Sequence, residues 1–407
     1  WSFTGQKVQF FELGRVLRRF PFLGVFWKGR IHRADYQIAE PVGLGYRIHG
    51  TALEAAESIY LRLAAGDGAA LNSVCRNFHS EKVRTYVKKY LVIESWPLCR
   101  DYLVLQERSR DGANPVRLVV QDTPLSRHLV PFLKANWPGD GVVFTGLSRA
   151  PWRVIQDPVT VLITAAESLA RLTMFFLRRG LTFRREAITS KIAKELIWGI
   201  GVNTGRRNDD FMVDRQQMKP SDVLMYYRRS AAARMGNPAY LSESIQNCHS
   251  RGYQCVDFDR VSVPLAWGIK HILPRHILLP ARLSLAATLR SFYQPEAALM
   301  HQVLGNFISQ ARGWEVMLGS YSPELNISQN DPYPSHIADT VAMNLHGSLN
   351  SGFQWSDMTT YRSVTLAHLA YDIYLAWGNL PADFWQDDWN IDQVLVTGYP
   401  WGHLYQE

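Results

Sequence analysis

The hydrophobic pattern changes character near Asp222. Before it, runs of both periods are mixed; after it, short apolar runs and longer helical stretches alternate regularly. In the first half, Thr51 reads as a helix cap with Glu54 as its capping-box partner, and the helix runs through Leu63 to the turn at Gly66-Asp67-Gly68. A second helix is expected over 71–91, strands over 102–106 and 116–120, and helical periodicity from about 159 to 198. Residues 1–50 are aromatic and basic and show no clear period. From residue 222 the expected order is strand 223–227, helix 238–249 and strand 253–257, then acid-free helices, then strands 315–318, 340–345, 373–376 and 394–397.

Three of the late runs end in glycine turns: His346-Gly347, Trp377-Gly378 and Gly398-Tyr399-Pro400. Strands alternating with helices imply a mostly parallel sheet of βαβ units. The expected fold is therefore α/β, a Rossmann-like sheet with flanking helices and an N-terminal α+β extension. In such a sheet, loops at the carboxyl ends of the strands converge on one ligand crevice. A histidine on one of those loops is well placed for chemistry, and a purely structural role is about equally common for such a residue.

Length suggests about two to three compact units for 407 residues. Composition adds ample apolar material, 47% of the chain. Cys75, Cys99, Cys248 and Cys255 have neither paired nor framework spacing, so neither a disulfide scaffold nor a zinc site is indicated, and a reducing compartment is the simpler reading. Cys248-His249 with Cys255 reads as buried structural cysteine. No signal peptide is visible after Trp1, and Asn326-Ile327-Ser328 reads as a fortuitous glycosylation sequon.

The net charge of +8 points to an anionic partner. No acidic residue occurs between Val261 and Gln294, where Lys270, Arg275, Arg282 and Arg290 punctuate apolar sequence. Residues 168–185 repeat the pattern, with Arg171, Arg178, Arg179, Arg184 and Arg185 around Phe175 and Phe176. No run reaches the roughly 18 to 20 apolar residues of a spanning helix. Two readings stand side by side: helices lying in the headgroup region of an anionic membrane, and core-covering amphipathic helices whose arginines snorkel to water. Nucleic-acid binding has only charge to support it.

Nucleotide fingerprints are absent: Gly43-Leu44-Gly45 lacks the third glycine, and no phosphate loop occurs. The chemistry-bearing candidates are His346, whose imidazole suits a general base that takes a proton from an attacking hydroxyl, and Asn208-Asp209-Asp210, whose carboxylates suit a general base or a sugar-hydroxyl ligand. A solvated loop held by Arg206 and Arg207 is the competing reading of the latter. Ser348 opens a small, polar segment suited to close ligand approach.

The order His346-Gly347, Trp377-Gly378 and Val394-Leu395-Val396-Thr397-Gly398-Tyr399-Pro400, with Asn208-Asp209-Asp210-Phe211 upstream, resembles bacterial surface-polysaccharide glycosyltransferases of the two-Rossmann-domain (GT-B) type. A looser likeness is to teichoic-acid glycerophosphotransferases, from which Ser348-Leu349-Asn350 departs. The resemblance covers about residues 200–407. It implies an N-terminal mixed region at 1–200, an acceptor-side domain at 201–392 and the start of a nucleotide-binding domain at 393–407. It further implies transfer of a sugar from a nucleotide-sugar donor, with no tightly bound cofactor or metal, to a lipid-linked glycan at the cytoplasmic face of the membrane. His346 would be the base, Asp209 and Asp210 the runners-up, and Asn208, Gly347, Ser348, Trp377 and Gly378 would line the substrate. A non-catalytic scaffold or glycan-binding protein with the same fold is the alternative.

Overall fold

The computed structural model describes residues 8–10, 31–32, 44–110, 116–138, 142–145, 150–183, 191–195, 219–228, 242, 245–246, 248–328, 333–353, 364–378 and 388–397. Two long helices, α1 (Leu44–Phe78) and α2 (Lys82–Arg110), form an antiparallel pair. Helix α1 begins earlier than expected and buries Thr51 inside it, so Thr51 is not its cap. The turn at Gly66-Asp67-Gly68 proves to be a kink: only Asp67 leaves helical geometry (φ −133°, ψ 40°), and its carboxylate pairs with Arg290. The run 102–106, expected as a strand, lies within α2. Val83, Tyr86, Val87, Tyr90 and Leu91 upstream are buried with helical spacing, and 102–106 continues that face.

Two all-parallel sheets follow. The smaller has the order β2-β1-β3-β4, from Val8–Phe10 (β1), Ile31–His32 (β2), Val116–Val119 (β3) and Val142–Thr145 (β4). Its last crossover is α3 (Pro124–Asn136), started by a Thr123–Ser126 capping box. Helix α4 (Ala150–Arg179) leads to a short parallel pair, β5 (Leu181–Thr182) with β9 (Val263–Pro264).

The larger sheet contains β6 (Ile192–Glu195), β7 (Val223–Tyr227), β8 (Gln254–Asp257), β10 (Leu325–Ser328), β11 (Leu349–Phe353), β12 (Ile373–Ala376) and β13 (Gln393–Val396). All seven are parallel, in the order β13-β12-β11-β10-β6-β7-β8. The sheet thus starts before residue 201, and residues 393–396 form its edge strand. Its helices include α5 (Leu279–Arg290), α6 (Pro295–Ser320) and α7 (Ser335–Asn344).

Two further expected strands are helical. Residues 315–318 belong to α6 and residues 340–345 to α7 and its last turn. Both helices are buried almost all round, so their apolar runs carry no helical stripe, and a short apolar run alone cannot distinguish strand from helix.

One continuous core runs from Leu44 on α1 to Ala370 before β12. Charged groups cross-link it. Lys89, fully buried on α2, donates to the carbonyls of Val364, Thr365 and Ala367 at 3.1, 2.6 and 2.7 Å. Lys82 binds Asp372 at 2.7 Å and Asp392 at 3.1 Å. A buried ammonium is tolerated only with such partners.

Gly352 on β11 lies against the Tyr371 ring, where an added Cβ would stand 2.5 Å from the nearest ring carbon. Gly352→Ala is expected to cost about 1–3 kcal/mol through overpacking, read as a lower midpoint in urea unfolding. An unchanged midpoint would show that the ring moves aside freely.

Candidate functional site

Numbered by their appearance in the larger sheet, the strands run 3-2-1-4-5-6-7, so the direction in which successive strands are added across the sheet reverses between β6 and β10, which remain parallel. This is a topological switch point, and ligands of doubly wound sheets bind outside the carboxyl ends of strands there. At that end β10, β11 and β12 finish in Ser328, Phe353 and Ala376, and Trp377-Gly378 follows β12 as the sequence suggested. Trp377 packs with Phe353 and Ile327. Asn208, Asp209 and Asp210 lie outside the described residues.

Beneath the crevice the sheet carries a buried polar chain. Tyr226 donates to Asn326 Oδ1 (3.2 Å), Asn326 to Asn350 Oδ1 (2.7 Å), and Asn350 to Thr340 Oγ1 (2.8 Å). Asp372 accepts from the Asn350 backbone and from Asn344, each at 2.7 Å. Buried polar groups so completely paired rigidify a core rather than react. The Asn326 of the sequon is buried among them, so it is not a surface acceptor.

His346, Gly347 and Ser348 stand at the opposite end. Because 340–345 is helical, His346 follows α7 and precedes the amino end of β11, about 16 Å along a five-residue strand from the crevice. Gly347 has φ +78° and sits where a helix ends in a left-handed residue. The Ser348 N–H reaches the Met343 carbonyl (3.0 Å) and the Gly347 N–H that of Asn344 (3.1 Å). The glycine that suggested a catalytic turn therefore closes a helix, and Ser348 is buried in that closure.

His346 joins a cluster centred on Glu315 of α6, whose side chain is fully buried. Its neighbours come from a helical turn, Leu265–Trp267, and the π-helical stretch Gly268–Leu278, whose wider turn brings His271, Arg275 and His276 toward one side. Arg275 grips both carboxylate oxygens, with Nε–Oε1 and Nη2–Oε2 each 2.9 Å. His276 Nε2 lies 3.2 Å from Oε1, and His346 Nε2 3.8 Å from Oε2. Trp267 donates to the Glu315 carbonyl (2.8 Å) and packs on the rings of His271 and His346.

Burial alone would raise the Glu315 carboxyl, but His276, His346 and Arg275 outweigh it and hold the group well below the usual carboxylate range. Burial, together with His346 and Arg275, pushes His271 down to about 4. A carboxylate so fully engaged is a lock between the π-helical stretch, α6 and the end of α7. It is not poised to exchange protons near neutrality. Glu315 escaped the sequence reading because it lay in an expected strand; the six cationic or imidazole residues within the acid-free stretch, Lys270, His271, Arg275, His276, Arg282 and Arg290, were its only visible signal.

The basic residues separate into two groups. Arg171, Arg178, Lys270 and Arg282 are exposed, whereas Phe175 and Phe176 are half-buried against the core. Arg179 is buried, stacked over Phe175 and Phe258, and Arg275 is bound to Glu315, so neither is free for a membrane surface. Arg184 and Arg185 lie outside the described residues. Within α4, residues Ile155–Arg179 are long and apolar enough to cross a bilayer by length and composition, although they include no unbroken apolar run of that length. This helix packs on α5 and α6 along one side and exposes Ile155, Leu162, Leu169 and Leu177 on another. Among the described residues, no group of His, Cys, Asp and Glu is arranged to hold a metal ion.

Compared with known proteins, the chain matches no family model, no curated protein and no solved structure.

Proposed function

We propose that the protein is a glycosyltransferase that moves a sugar from a nucleotide-sugar donor to a lipid-linked surface glycan at the cytoplasmic face of the membrane. The observation that carries this reading is the switch point between β6 and β10, a crevice of the kind in which doubly wound sheets hold nucleotides. A second all-parallel sheet in the same chain supports the two-Rossmann (GT-B) resemblance. The exposed apolar and basic positions of α4 and α5 support a peripheral membrane location.

In this reading the base is taken from Asp209 and Asp210, which follow β6 in the sequence. His346 serves packing at the other end of the sheet. The placement of His346 also favours the alternative, a non-catalytic scaffold or glycan-binding protein, since the residue first expected to catalyse is packed against Glu315 and Trp267.

A nucleotide-sugar panel with a lipid-linked acceptor separates the two. Expected are saturable donor binding and turnover, with Asp209→Asn or Asp210→Asn slowing transfer by roughly 10²–10⁴-fold while donor binding persists. If no nucleotide sugar binds, the transferase reading falls and the glycan-binding alternative stands.

A further inference from the structure

A trough of about 330 Å³ lies between α4, α6 and the segment from His276 to Ser284. Its volume falls at the lower end of small-molecule sites. Leu169 and Leu172 wall one side, Pro280 and Leu283 the other, and α6 forms the floor with His301, Gly305 and Arg312. These three share one helix face, and at 1.5 Å per residue they span about 16 Å. The trough is therefore long, narrow and apolar, with its polar groups toward the ends.

At one end stands Arg312, only 7% exposed. Its Nη2 reaches Ser309 Oγ at 3.4 Å, its guanidinium lies over the Phe175 ring at 4.4 Å, and its Nε has no hydrogen-bond partner. Among the described residues no carboxylate pairs with it. Burial and the nearby Arg171 push its guanidinium down to about 10. A buried cation without a counter-ion is costly unless something anionic completes it.

Gly305 is the second observation. It lies in the interior of α6, where glycine is the least favourable residue after proline, and a Cβ built on it meets nothing within 4 Å. Packing against its own protein does not require that glycine; it keeps the floor of the trough low. Beside the trough, Leu169, Leu278, Leu285 and Leu289 are exposed, giving an apolar approach from the surface.

We propose that this trough binds one chain of an anionic lipid, with the hydrocarbon over Gly305 and the headgroup phosphate on Arg312. The charge fits an anion, and the walls fit methylenes rather than a polar solute. At the far end His301 Nε2 meets Ser284 Oγ at 2.9 Å, which closes the trough beyond the chain. The inference does not depend on glycosyl transfer, because the trough binds its lipid whether or not a nucleotide sugar is used.

The test is calorimetric titration of the full chain with dodecyl phosphate below its micellar concentration, beside dodecanol and inorganic phosphate. Dodecyl phosphate is expected to bind saturably, dodecanol about tenfold more weakly, and inorganic phosphate not measurably. Arg312→Gln should bring dodecyl phosphate down to the affinity of dodecanol. Gly305→Leu, which fills open space and improves helix propensity, should keep the melting transition and lose both amphiphiles. Absence of saturable dodecyl phosphate binding, unchanged binding in Gly305→Leu, or inorganic phosphate binding as tightly as dodecyl phosphate would each overturn the assignment. Donor binding is measured separately, so failure here leaves the transferase reading untouched.

Discussion

Glu315→Ala is expected to destabilise the fold by about 3–5 kcal/mol, the usual consequence of removing one partner from a buried ion pair. The substitution leaves Arg275 without its bidentate acceptor and His276, whose side chain is fully buried, facing an apolar methyl. It also removes the anchor that joins the π-helical stretch to α6, so the loss should include the packing of Trp267 against Gly319. Urea unfolding followed by far-ultraviolet circular dichroism measures it, with Glu315→Gln as the isosteric control that keeps the volume and one acceptor. A shift within about 0.5 kcal/mol, typical of surface sites, would mean that the cluster is incidental to stability.

Acid should weaken the protein well before its carboxylates titrate. Burial pushes His301 down to about 4, and burial together with Lys89 pushes His336 down to about 3, against the opposing pull of the Tyr333 carbonyl. The geometry of His336 agrees with a neutral ring: Nδ1 donates to the Tyr333 carbonyl at 2.6 Å, and Nε2 accepts from the Ala370 N–H at 3.3 Å. A second ring proton would face that N–H.

Because both folded values lie below the ordinary 6.5, the unfolded chain takes up protons first as pH falls. Stability is full above about pH 6.5 and drains away toward pH 4 and 3. At pH 5 each histidine should account for a loss on the order of 2 kcal/mol. Glu315 adds nothing in this window; its depressed value means that its contribution is lost only below about pH 4.3. Melting curves from pH 7 to 5 check the slope, and His301→Gln should flatten it by the share of one histidine. A slope identical in that variant would remove His301 from the account.

The strands of the larger sheet were readable where a short β-branched or aromatic run ended in polar or glycine residues, as at 223–227, 373–376 and 394–396. The failures share one cause. Residues 102–106, 315–318 and 340–345 belong to helices buried on most faces, and such helices show runs of apolar residues instead of a stripe. That error moved His346 from a helix end to a strand end, and so from one edge of the sheet to the other. Trp377-Gly378 was placed correctly because its run is a true strand. Glu315, Arg312 and Gly305 were invisible as a group, since what makes them notable is the missing or converging neighbours that only packing reveals.

The pairing of Lys82 and Lys89 bears on how the chain comes into being. Lys82 and Lys89 lie on α2, yet their acceptors, Asp372, Asp392 and the carbonyls of Val364, Thr365 and Ala367, are separated from them by 275 to 310 residues. On a ribosome, α1 and α2 would emerge long before these acceptors. The hydrophobic face they share with α6 and α7 would wait equally long. Closure over such sequence distances is slow and leaves apolar surface uncovered meanwhile, so α1 and α2 settle only once segments made far later in the chain have arrived.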